Sequence, residues 1–293
     1  MSLFNEQEAV PNIEYDIVLV IDSDSLVYKA AHVGGKIYDN DYIPKEHFLF
    51  HESQPTLLET QMEVYHSMLG GIIKGVKDNL PRGRGIKSIQ KHFTPKSRHS
   101  QAPNFRYKLV DSYNELNPNL PHPPYKASRK GMDLPDGLDE LFDTIIAEDD
   151  VYLSDGCEAD DVVSYLKIQD LEGVMLAVID KDIWAGIPSG SLGHYNYNRF
   201  ELIHTTDEEG LLFQYHQCLI GDSSDGIKSI HRYGIKTVQK DFPEYNKDTP
   251  KEVLAKFIEK GYTEEYALLM MQLVSMRQYN GVSIDLHTAD IFE

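Results

Sequence analysis

The sequence predicts an α/β protein in which helices flank a central parallel sheet. Two short apolar runs rich in β-branched residues, 17–21 (IVLVI) and 174–180 (VMLAVID), are typical of strands buried on both faces. Helical patterns alternate with these runs, as they do in parallel sheets with helical crossovers. Both runs lead into acid pairs, Asp22 with Asp24 and Asp180 with Asp182. In open α/β sheets, functional sites lie beyond the carboxyl ends of the strands, so the acids mark a candidate site.

The remaining elements follow from the hydrophobic pattern and the chain breaks. The break PRGRG at 81–85 separates a helix over 56–77 from a second strand over 86–93. The later elements, in chain order, are a loop with short helices over 94–135, a helix over 138–147, a strand at 151–153, a helix over 160–168, an exposed strand pair over 194–203, and helices over 208–221, 250–260 and 263–279. We therefore expect an α/β part over residues 1–205 and a helical part over 206–293.

Composition is that of an ordinary globular protein, with 41% hydrophobic and 26% charged residues in 293. The two cysteines, Cys157 and Cys218, cannot form a disulfide framework, which fits a reducing cytoplasm. The polar, acidic N-terminus lacks the pattern of a signal peptide, and no apolar run approaches the roughly 20 residues of a membrane helix. We expect a cytoplasmic protein without a membrane partner.

The formal net charge of −19 argues by itself against nucleic acid as a partner, because phosphates repel an acidic surface. The charge is unevenly distributed, however. From Lys74 to Lys108 the chain carries 10 lysines and arginines and one acid, Asp78, and YKASRK follows at 125–130. The segment is either a solvated surface or a basic strip on a protein whose acids bind metal ions.

Nine acids lie at ends of predicted strands and helices: Asp22, Asp24, Glu158, Asp160, Asp161, Asp180, Asp182, Asp222 and Asp225. Converging carboxylates cannot all stay ionised without a cation, and oxygen ligands without a His or Cys cluster suit Mg²⁺ or Mn²⁺. Two such ions can hold the attacking and leaving oxygens of a phosphoryl displacement. Taken singly, each acid could equally be a helix cap or a first-turn residue that the helix dipole favours.

A rival enzyme class shares some of these acids. VLVIDSDSLVY also resembles the first motif of haloacid-dehalogenase-type phosphatases, with Asp22 as nucleophile, and GDSSDG resembles their last acidic motif. This alternative gives no role to EADD at 158–161 or to DKD at 180–182.

The segment 221–242 predicts a helix, a turn at Gly234 and a second helix. Backbone N–H groups of such a turn, with Lys236 and Thr237, can hold a nucleic-acid phosphate without reading bases.

The motifs together resemble the 5′-nuclease superfamily, which includes flap endonucleases and, most similar here, phage 5′→3′ exonucleases. They occur in the family's order: VIDSDSLVY, FRYK, YKASRK, EADDVVSYL, VIDKDIW and GDSSDGIKSIHRYGIKT. The resemblance implies a PIN-like parallel sheet flanked by helices, a helical arch over about 95–140, and a helix–three-turn–helix element that binds duplex DNA.

The resemblance also implies roles for single residues. Metal ligands would be Asp22, Glu158, Asp160 and Asp161 around a first Mg²⁺ or Mn²⁺, and Asp180, Asp182, Asp222 and Asp225 around a second. Lys126 and Arg129 would grip the scissile phosphate and, with Asp22, form the catalytic set. DNA would further contact Arg106, Gly234, Lys236 and Thr237, and a K⁺ ion would sit at the Gly234 turn.

The implied activity is metal-dependent 5′→3′ exonuclease or flap endonuclease cleavage of DNA at a duplex end, nick or flap, with RNA–DNA hybrids as further substrates. The setting would be phage replication or DNA degradation in an infected cell, and the protein would be a monomer. The family's acid after the second strand is missing, because no Asp or Glu lies between Phe93 and Arg106. Asp24, Asp111 or a water could replace it; the alternative is a catalytically weakened, nuclease-like DNA-binding protein.

Overall fold

A six-stranded sheet forms the centre of the molecule in a computed structural model that describes residues 15–39, 55–95, 104–129, 133–279 and 281–283. Its strands are β1 (Tyr15–Asp22), β2 (Arg84–Phe93), β3 (Val151–Leu153), β4 (Val174–Val178), β5 (His194–Asn196) and β6 (Glu201–Ile203). They lie in the order β3-β2-β1-β4-β5-β6, all parallel to their neighbours except β6. The predicted α/β class with a parallel sheet is confirmed.

Ten helices surround or extend this sheet within the described residues: α1 (Asp24–Asp39), α2 (Leu57–Asn79), α3 (Phe105–Leu116), α4 (Leu138–Ile145), α5 (Ala159–Gln169), α6 (Lys181–Trp184), α7 (Asp207–Ile220), α8 (Ile235–Asp241), α9 (Thr249–Glu259) and α10 (Glu264–Val274). A 3₁₀ turn covers Ala127–Arg129. Two small hairpins pair β7 (Gly221–Asp222) with β8 (Ile227–Lys228) and β9 (Gln278–Tyr279) with β10 (Val282–Ser283). None of the described helices combines the length and apolarity that crossing a bilayer requires.

Both faces of the sheet are buried, which explains why β1 and β4 are continuous apolar runs. Ile17, Leu19 and Ile21 pack in one cluster that includes residues of α1, α2 and α4. Val20 lies in a second cluster, which includes Val163 of α5. Each fully buried aliphatic side chain stabilises the folded protein by about 1.5–3 kcal/mol. Packing on both faces therefore holds β1 and β4 in place, and with them the acids that follow the strands.

A third core joins the C-terminal helices to α3. It contains buried residues of α7 to α10 together with Val110 and Tyr113 of α3 and, beyond that helix, Tyr125. The described part of the predicted arch, about 95–140, therefore includes a helix that packs into the helical core. The expected boundary at residue 205 between an α/β part and a helical part stays a prediction. Helix α3 precedes this boundary in sequence but packs with the helices that follow it.

Two local predictions differ from the structure. Residues 221–234 contain the β7–β8 hairpin instead of a helix, because Gly221 and Gly226 adopt positive φ angles of 81° and 73° that turn the chain. The first helix beside the Gly234 turn is therefore α7. Strand β5 is buried, not exposed, since it pairs with β4 and β6.

Helix α1 was not predicted, because Gly34 and Gly35 interrupt its pattern. A Cβ at Gly34 would lie 2.8 Å from the backbone of Gln61, so the glycine permits the close packing of α1 against α2.

Acid should destabilise the protein through His194, which lies buried in β5. Burial lowers the pKa of His194 from 6.5 to about 3. Below pH 6.5 the imidazole binds a proton in the unfolded protein but stays neutral in the folded one. The contribution of His194 to the free energy of unfolding is therefore fully present above pH 6.5 and is lost as the pH falls towards 3. Between pH 7 and pH 5 the free energy of unfolding should fall by about 2 kcal/mol more in the wild type than in His194→Gln.

Urea denaturation at the two pH values measures this difference. The exposed His32 of α1 supplies the matched control, His32→Gln, which should keep the wild-type pH dependence. Identical pH dependence in the wild type and in His194→Gln would contradict the assignment.

Candidate metal centre

The carboxyl ends of the central strands bring acids from four segments to one edge of the sheet. Strand β1 ends at Asp22, and its neighbour β4 is followed by Asp180. Asp24 opens α1, while Glu158 caps α5 and Asp160 lies in its first turn. We call Asp22, Asp24, Glu158, Asp160 and Asp180 the first acid group.

The first acid group carries more negative charge than its own surroundings balance. Burial raises the pKa of Asp22 well above its ordinary value, and Asp24 and Asp180 raise it further. Burial and then Asp22 and Asp180 do the same to the pKa of Asp160. Because like charges in a poorly solvated site disfavour ionisation, a cation at this position would be strongly favoured.

Glu158 is the exception in this group, because two basic side chains and a phenol reach it. Burial would raise its pKa, but Lys126, which is ion-paired with it, and Arg106 outweigh burial and hold the pKa at about 2. The Tyr125 hydroxyl donates to Glu158 Oε2 at 2.9 Å and also lies 3.0 Å from Asp225 Oδ2. Glu158 is therefore an ionised carboxylate that links α5 to the segment before the 3₁₀ turn.

Asp180, Asp182, Asp222 and Asp225 form the second acid group, which shares Asp180 with the first. Burial and then Asp180 raise the pKa of Asp182 to about 7, and Gln217 donates to its Oδ1 at 2.7 Å. Burial would raise the pKa of Asp222, but hydrogen bonds from Ser224 and then the charge of Lys181 lower it. The Lys181 Nζ lies 3.3 Å from Asp222 and 3.7 Å from Asp182.

The predicted basic pair reaches these acids. Lys126 adopts a positive φ of 54°, its N–H donates to the Asp225 carbonyl at 2.7 Å, and its Nζ lies 3.7 Å from the Asp225 carboxylate. Arg129 pairs with the same carboxylate at 2.7 Å while its side chain stays 54% exposed. The structure thus places Lys126 and Arg129 beside the acids, with Arg129 facing solvent.

Arg106 requires a correction, because Arg106 and Asp161 are partners of each other inside the protein. Both side chains are 0% exposed, and the guanidinium makes two hydrogen bonds to the carboxylate, at 2.7 and 2.8 Å. The remaining guanidinium bonds go to the carbonyls of Leu273 and Ser275. Arg106 is therefore not available to a DNA phosphate. Both oxygens of Asp161 accept hydrogen bonds from Arg106, and its expected metal ligation stays a prediction.

The Gly234 turn is exposed, as DNA binding would require. Gly234 precedes α8, and Lys236 and Thr237 lie in its exposed first turn. Gly234 has an ordinary φ of −87°, and a Cβ there would meet no atom within 4 Å. The fold itself therefore does not require glycine at this position.

The chemistry of the donors fits divalent metal ions. The two groups offer carboxylate oxygens, the ligands that Mg²⁺ and Mn²⁺ prefer, in a buried place where negative charge is in excess. Within the described ranges, however, no three His, Cys, Asp or Glu side chains are close enough to hold one ion as they stand. Lys126 lies between Glu158 and Asp225, and Lys181 lies between Asp182 and Asp222.

Thr94 is the first residue after β2, in the segment that lacks the family's acid. Its N–H donates to Asp24 Oδ1 at 3.0 Å, and its hydroxyl accepts from the Ala159 N–H at 2.9 Å. Thr94 therefore ties Asp24 to the start of α5. Burial raises the pKa of Asp24 to about 6, with the bonds to Thr94 opposing the rise and Glu158 adding to it. Of the two side-chain replacements considered, Asp24 lies in the first acid group, whereas Asp111 is exposed on α3.

Sequence reasoning missed three side chains that complete the site. Tyr125 lies in the motif YKASRK and Lys181 in VIDKDIW, but the sequence predicts roles only for their neighbours in these motifs. Tyr197, whose hydroxyl donates to the Asp22 carbonyl at 3.2 Å, carries no motif. Two signals in the sequence could have identified the first two: Tyr125 directly precedes Lys126, and Lys181 lies between Asp180 and Asp182.

Solved structures similar to this chain include 5′-nucleases of bacteriophage T5, although no family model and no curated protein matches the sequence. A bacteriophage T5 flap endonuclease pseudo-enzyme in a product complex with DNA and metal ions is 15% identical, with a TM-score of 0.55, covering 94% of this chain and 97% of that one. The T5 5′-exonuclease with bound zinc ions is 16% identical, with a TM-score of 0.54, covering 94% and 98%. These matches confirm the predicted resemblance at the level of the fold.

Removing Arg106 should destabilise the protein severely, because it would leave Asp161 charged, buried and unpaired. We expect Arg106→Met to lower the free energy of unfolding by about 3–5 kcal/mol. Adding Asp161→Asn should recover part of this loss, since the uncompensated charge is then gone.

Chemical denaturation measures all three proteins, with Arg82→Met at an exposed arginine as the control, expected within about 0.5 kcal/mol of wild type. An Arg106→Met protein of wild-type stability but lowered DNA affinity would reinstate Arg106 as a DNA contact.

Divalent ions should stabilise the protein through the acid groups. Millimolar Mg²⁺ or Mn²⁺ should raise the melting temperature, because an ion that binds only the folded state adds about 2.7 kcal/mol at a hundredfold excess over Kd. Asp160→Asn should raise the melting temperature of the metal-free protein, since it relieves repulsion, and should reduce the shift that Mg²⁺ causes.

Thermal unfolding in EDTA and in Mg²⁺ tests this expectation, and Asp111→Asn is the matched control. If Asp111→Asn alone abolished the Mg²⁺ shift, the ions would bind around α3 and not at the acid groups.

Proposed function

On a chain with the 5′-nuclease fold, we propose that the two acid groups hold two divalent metal ions and that the protein hydrolyses phosphodiester bonds of DNA from the 5′ side. The substrate is a duplex end, a nick or a 5′ flap. The observation that carries the proposal is the convergence of buried acids from β1, α1, α5, α6 and β7 on one edge of the sheet, with Lys126 and Arg129 beside them.

Each acid group accounts for one ion. Asp22, Asp24, Glu158, Asp160 and Asp180 would hold the first, and Asp180, Asp182, Asp222 and Asp225 the second, with Asp180 shared. When bound, such ions activate a water nucleophile and neutralise charge on the phosphate. Mg²⁺ is the ion we expect, and Mn²⁺ should replace it because it accepts the same hard oxygen ligands.

The chain's own cations orient the phosphate. Lys126 and Arg129 both contact Asp225, so their ammonium and guanidinium groups lie on the same side of the second acid group. Arg129 can exchange its exposed ion pair for a phosphate at little cost, since exposed pairs are worth about 0–1 kcal/mol. In this role Arg129 stabilises charge that develops on the phosphate oxygens.

Lys126 and Tyr125 have a second task, which is to keep Glu158 and Asp225 in place. The Tyr125 hydroxyl lies within hydrogen-bonding distance of both carboxylates, and Lys126 is paired with both. Without these contacts, repulsion between the acids would push α5 and the segment after β7 apart.

Duplex DNA away from the cut would lie on the exposed Gly234 turn. Lys236 supplies charge, and the N–H groups at the start of α8 supply donors that read no sequence. A K⁺ ion at this turn, cleavage of RNA in hybrids and a monomeric state belong to the same proposal.

Cleavage of 5′-labelled DNA decides whether the protein is this enzyme. Duplexes that are blunt, nicked or carry a 5′ flap are incubated with Mg²⁺, with Mn²⁺ and with EDTA, and products are resolved on denaturing gels. We expect cleavage only with the metal ions and its near-complete loss in Asp160→Asn, with DNA affinity unchanged or higher because a repelling charge is removed.

Other outcomes identify the alternatives. DNA binding without cleavage would favour the catalytically weakened DNA-binding protein, and turnover of a small phosphomonoester by the same preparation would favour the phosphatase. Wild-type cleavage by Asp160→Asn at saturating Mg²⁺ would refute the assignment of the first acid group.

Arg129 and the Gly234 turn should affect different steps. Arg129→Ala should lower the single-turnover rate at saturating DNA by about one to three orders of magnitude, because it removes a contact to developing charge. Lys236→Ala should weaken binding similarly for all sequences and reduce the salt dependence by about one phosphate contact. Gly234→Ala should fold normally, since the added methyl meets no protein atom, and should weaken DNA binding if the backbone of the turn contacts the phosphates.

Stopped-flow cleavage and salt-dependent anisotropy titrations separate the two effects. Equal changes of rate and affinity in Arg129→Ala and Lys236→Ala would contradict this division of labour.

A further inference from the structure

The turn between β5 and β6 ends at Phe200, an exposed aromatic residue in an unfavourable backbone conformation. We call Tyr197–Phe200 the hairpin tip. Phe200 has a positive φ of 58°, a conformation that glycine or asparagine adopts easily and a bulky side chain does not. The residue is nevertheless 75% exposed, so packing within the described residues does little to offset the unfavourable backbone conformation. A strained, solvent-facing aromatic ring indicates a ligand contact.

The hairpin tip lies at the same edge of the sheet as the acid groups. Asn196, the last residue of β5, is in register with Val178 of β4, two residues before Asp180. Tyr197 donates its hydroxyl hydrogen to the carbonyl of Asp22. The tip is therefore held at the rim of the first acid group.

Two further contacts fix the tip against the helices that carry the acids. Lys29 of α1 donates to Asn198 Oδ1 at 3.1 Å. The Arg199 guanidinium lies over the ring of Trp184, the last residue of α6, at 5.2 Å from its centroid. The backbone N–H groups of Asn198 and Arg199 donate to the Asn196 side chain at 3.1 and 3.0 Å, which makes the tip rigid.

The surface around Phe200 combines an aromatic face with positive charge. Arg199 is exposed, and its ion pair with Glu201, at 3.5 Å, joins two exposed groups and is therefore weak. Lys29 supplies a second cation on the α1 side. Aromatic rings between cations are the recognition chemistry of single-stranded nucleic acid, in which bases stack and phosphates pair.

We propose that the hairpin tip is a stacking site for an unpaired base of the DNA strand that enters the acid groups. Phe200 stacks on the base, and Arg199 and Lys29 pair with the adjacent phosphates. The site would favour substrates with a single-stranded 5′ extension over blunt duplexes. This inference rests on the proposed function, and it adds a determinant of substrate choice to it.

Phe200→Gly tests the proposal without endangering the fold, because glycine accepts the positive φ. Binding of a dye-labelled duplex with a 5′ single-stranded extension is measured by anisotropy in Ca²⁺, beside a blunt duplex of the same sequence. We expect about tenfold weaker binding of the extended duplex and unchanged binding of the blunt one. The melting temperature should stay at the wild-type value. Leu116→Ala, at an exposed apolar side chain on α3, is the matched control and should change neither affinity.

A scan with single abasic sites along the extension locates the stacked base. In the wild type one position should lose affinity when its base is removed, and in Phe200→Gly that position should become as tolerant as the others. The emission of Trp184, the single tryptophan of the chain, should change when the extended duplex binds, since Arg199 lies on its ring.

The inference is overturned if Phe200→Gly binds the extended duplex as wild type does, or if the abasic profile is the same in both proteins. It is also overturned if Phe200→Gly abolishes a concentration-dependent self-association, because the tip would then dock a second copy of the chain. Failure of the wild type to cleave any of the duplexes would refute the proposed function instead, which keeps the two failures distinct.

Discussion

Crowded negative charge at one edge of the sheet is the constraint on which the rest of this structure depends. Parallel strands β1 and β4 end side by side, so the acids that follow them must lie close together whatever the helices do. Burial then removes the water that would screen them and raises the pKa values of Asp22 and Asp160. Cations must therefore enter this edge. Lys126 and Lys181 do so from within the chain, and the proposed metal ions would complete the balance.

A second charged pair, fully inside the protein, keeps these acids in position. Arg106 holds Asp161 in the first turn of α5 and also binds two carbonyls at and beyond the end of α10. The start of α5, which carries Glu158 and Asp160, is thereby fixed to the helical core. A buried pair of this kind adds little net stability compared with apolar residues, so its value lies in fixing geometry. The sequence motifs FRYK and EADD are thus joined by an internal contact between Arg106 and Asp161.

The sequence predicted what depends on local pattern and missed what depends on distant contacts. Strand β1 and the acid pair that follows it were readable, because continuous apolar runs and strand-end acids have local causes. The opposite fates of Asp160 and Asp161 were not readable, because adjacent acids in a helix turn look alike until Arg106, 55 residues before Asp161, takes one of them. Helix α1 was missed because the role of Gly34, which is its close approach to Gln61 of α2, depends on a distant contact. The β7–β8 hairpin was missed because its turn glycines lie inside an otherwise helical pattern.

The uneven distribution of charge explains how a chain with so acidic an average composition could bind DNA. A net charge of −19 would repel a duplex at long range, and salt would screen that repulsion beyond about 8–10 Å. Within that distance the strand would meet Arg129 and the hairpin tip at the rim of the acid groups. Because Arg129 and Lys181 are more exposed than the acids they contact, a phosphate would encounter positive charge first. Divalent ions would then convert the acids from a barrier into a binding surface, so that DNA affinity and metal occupancy would rise together.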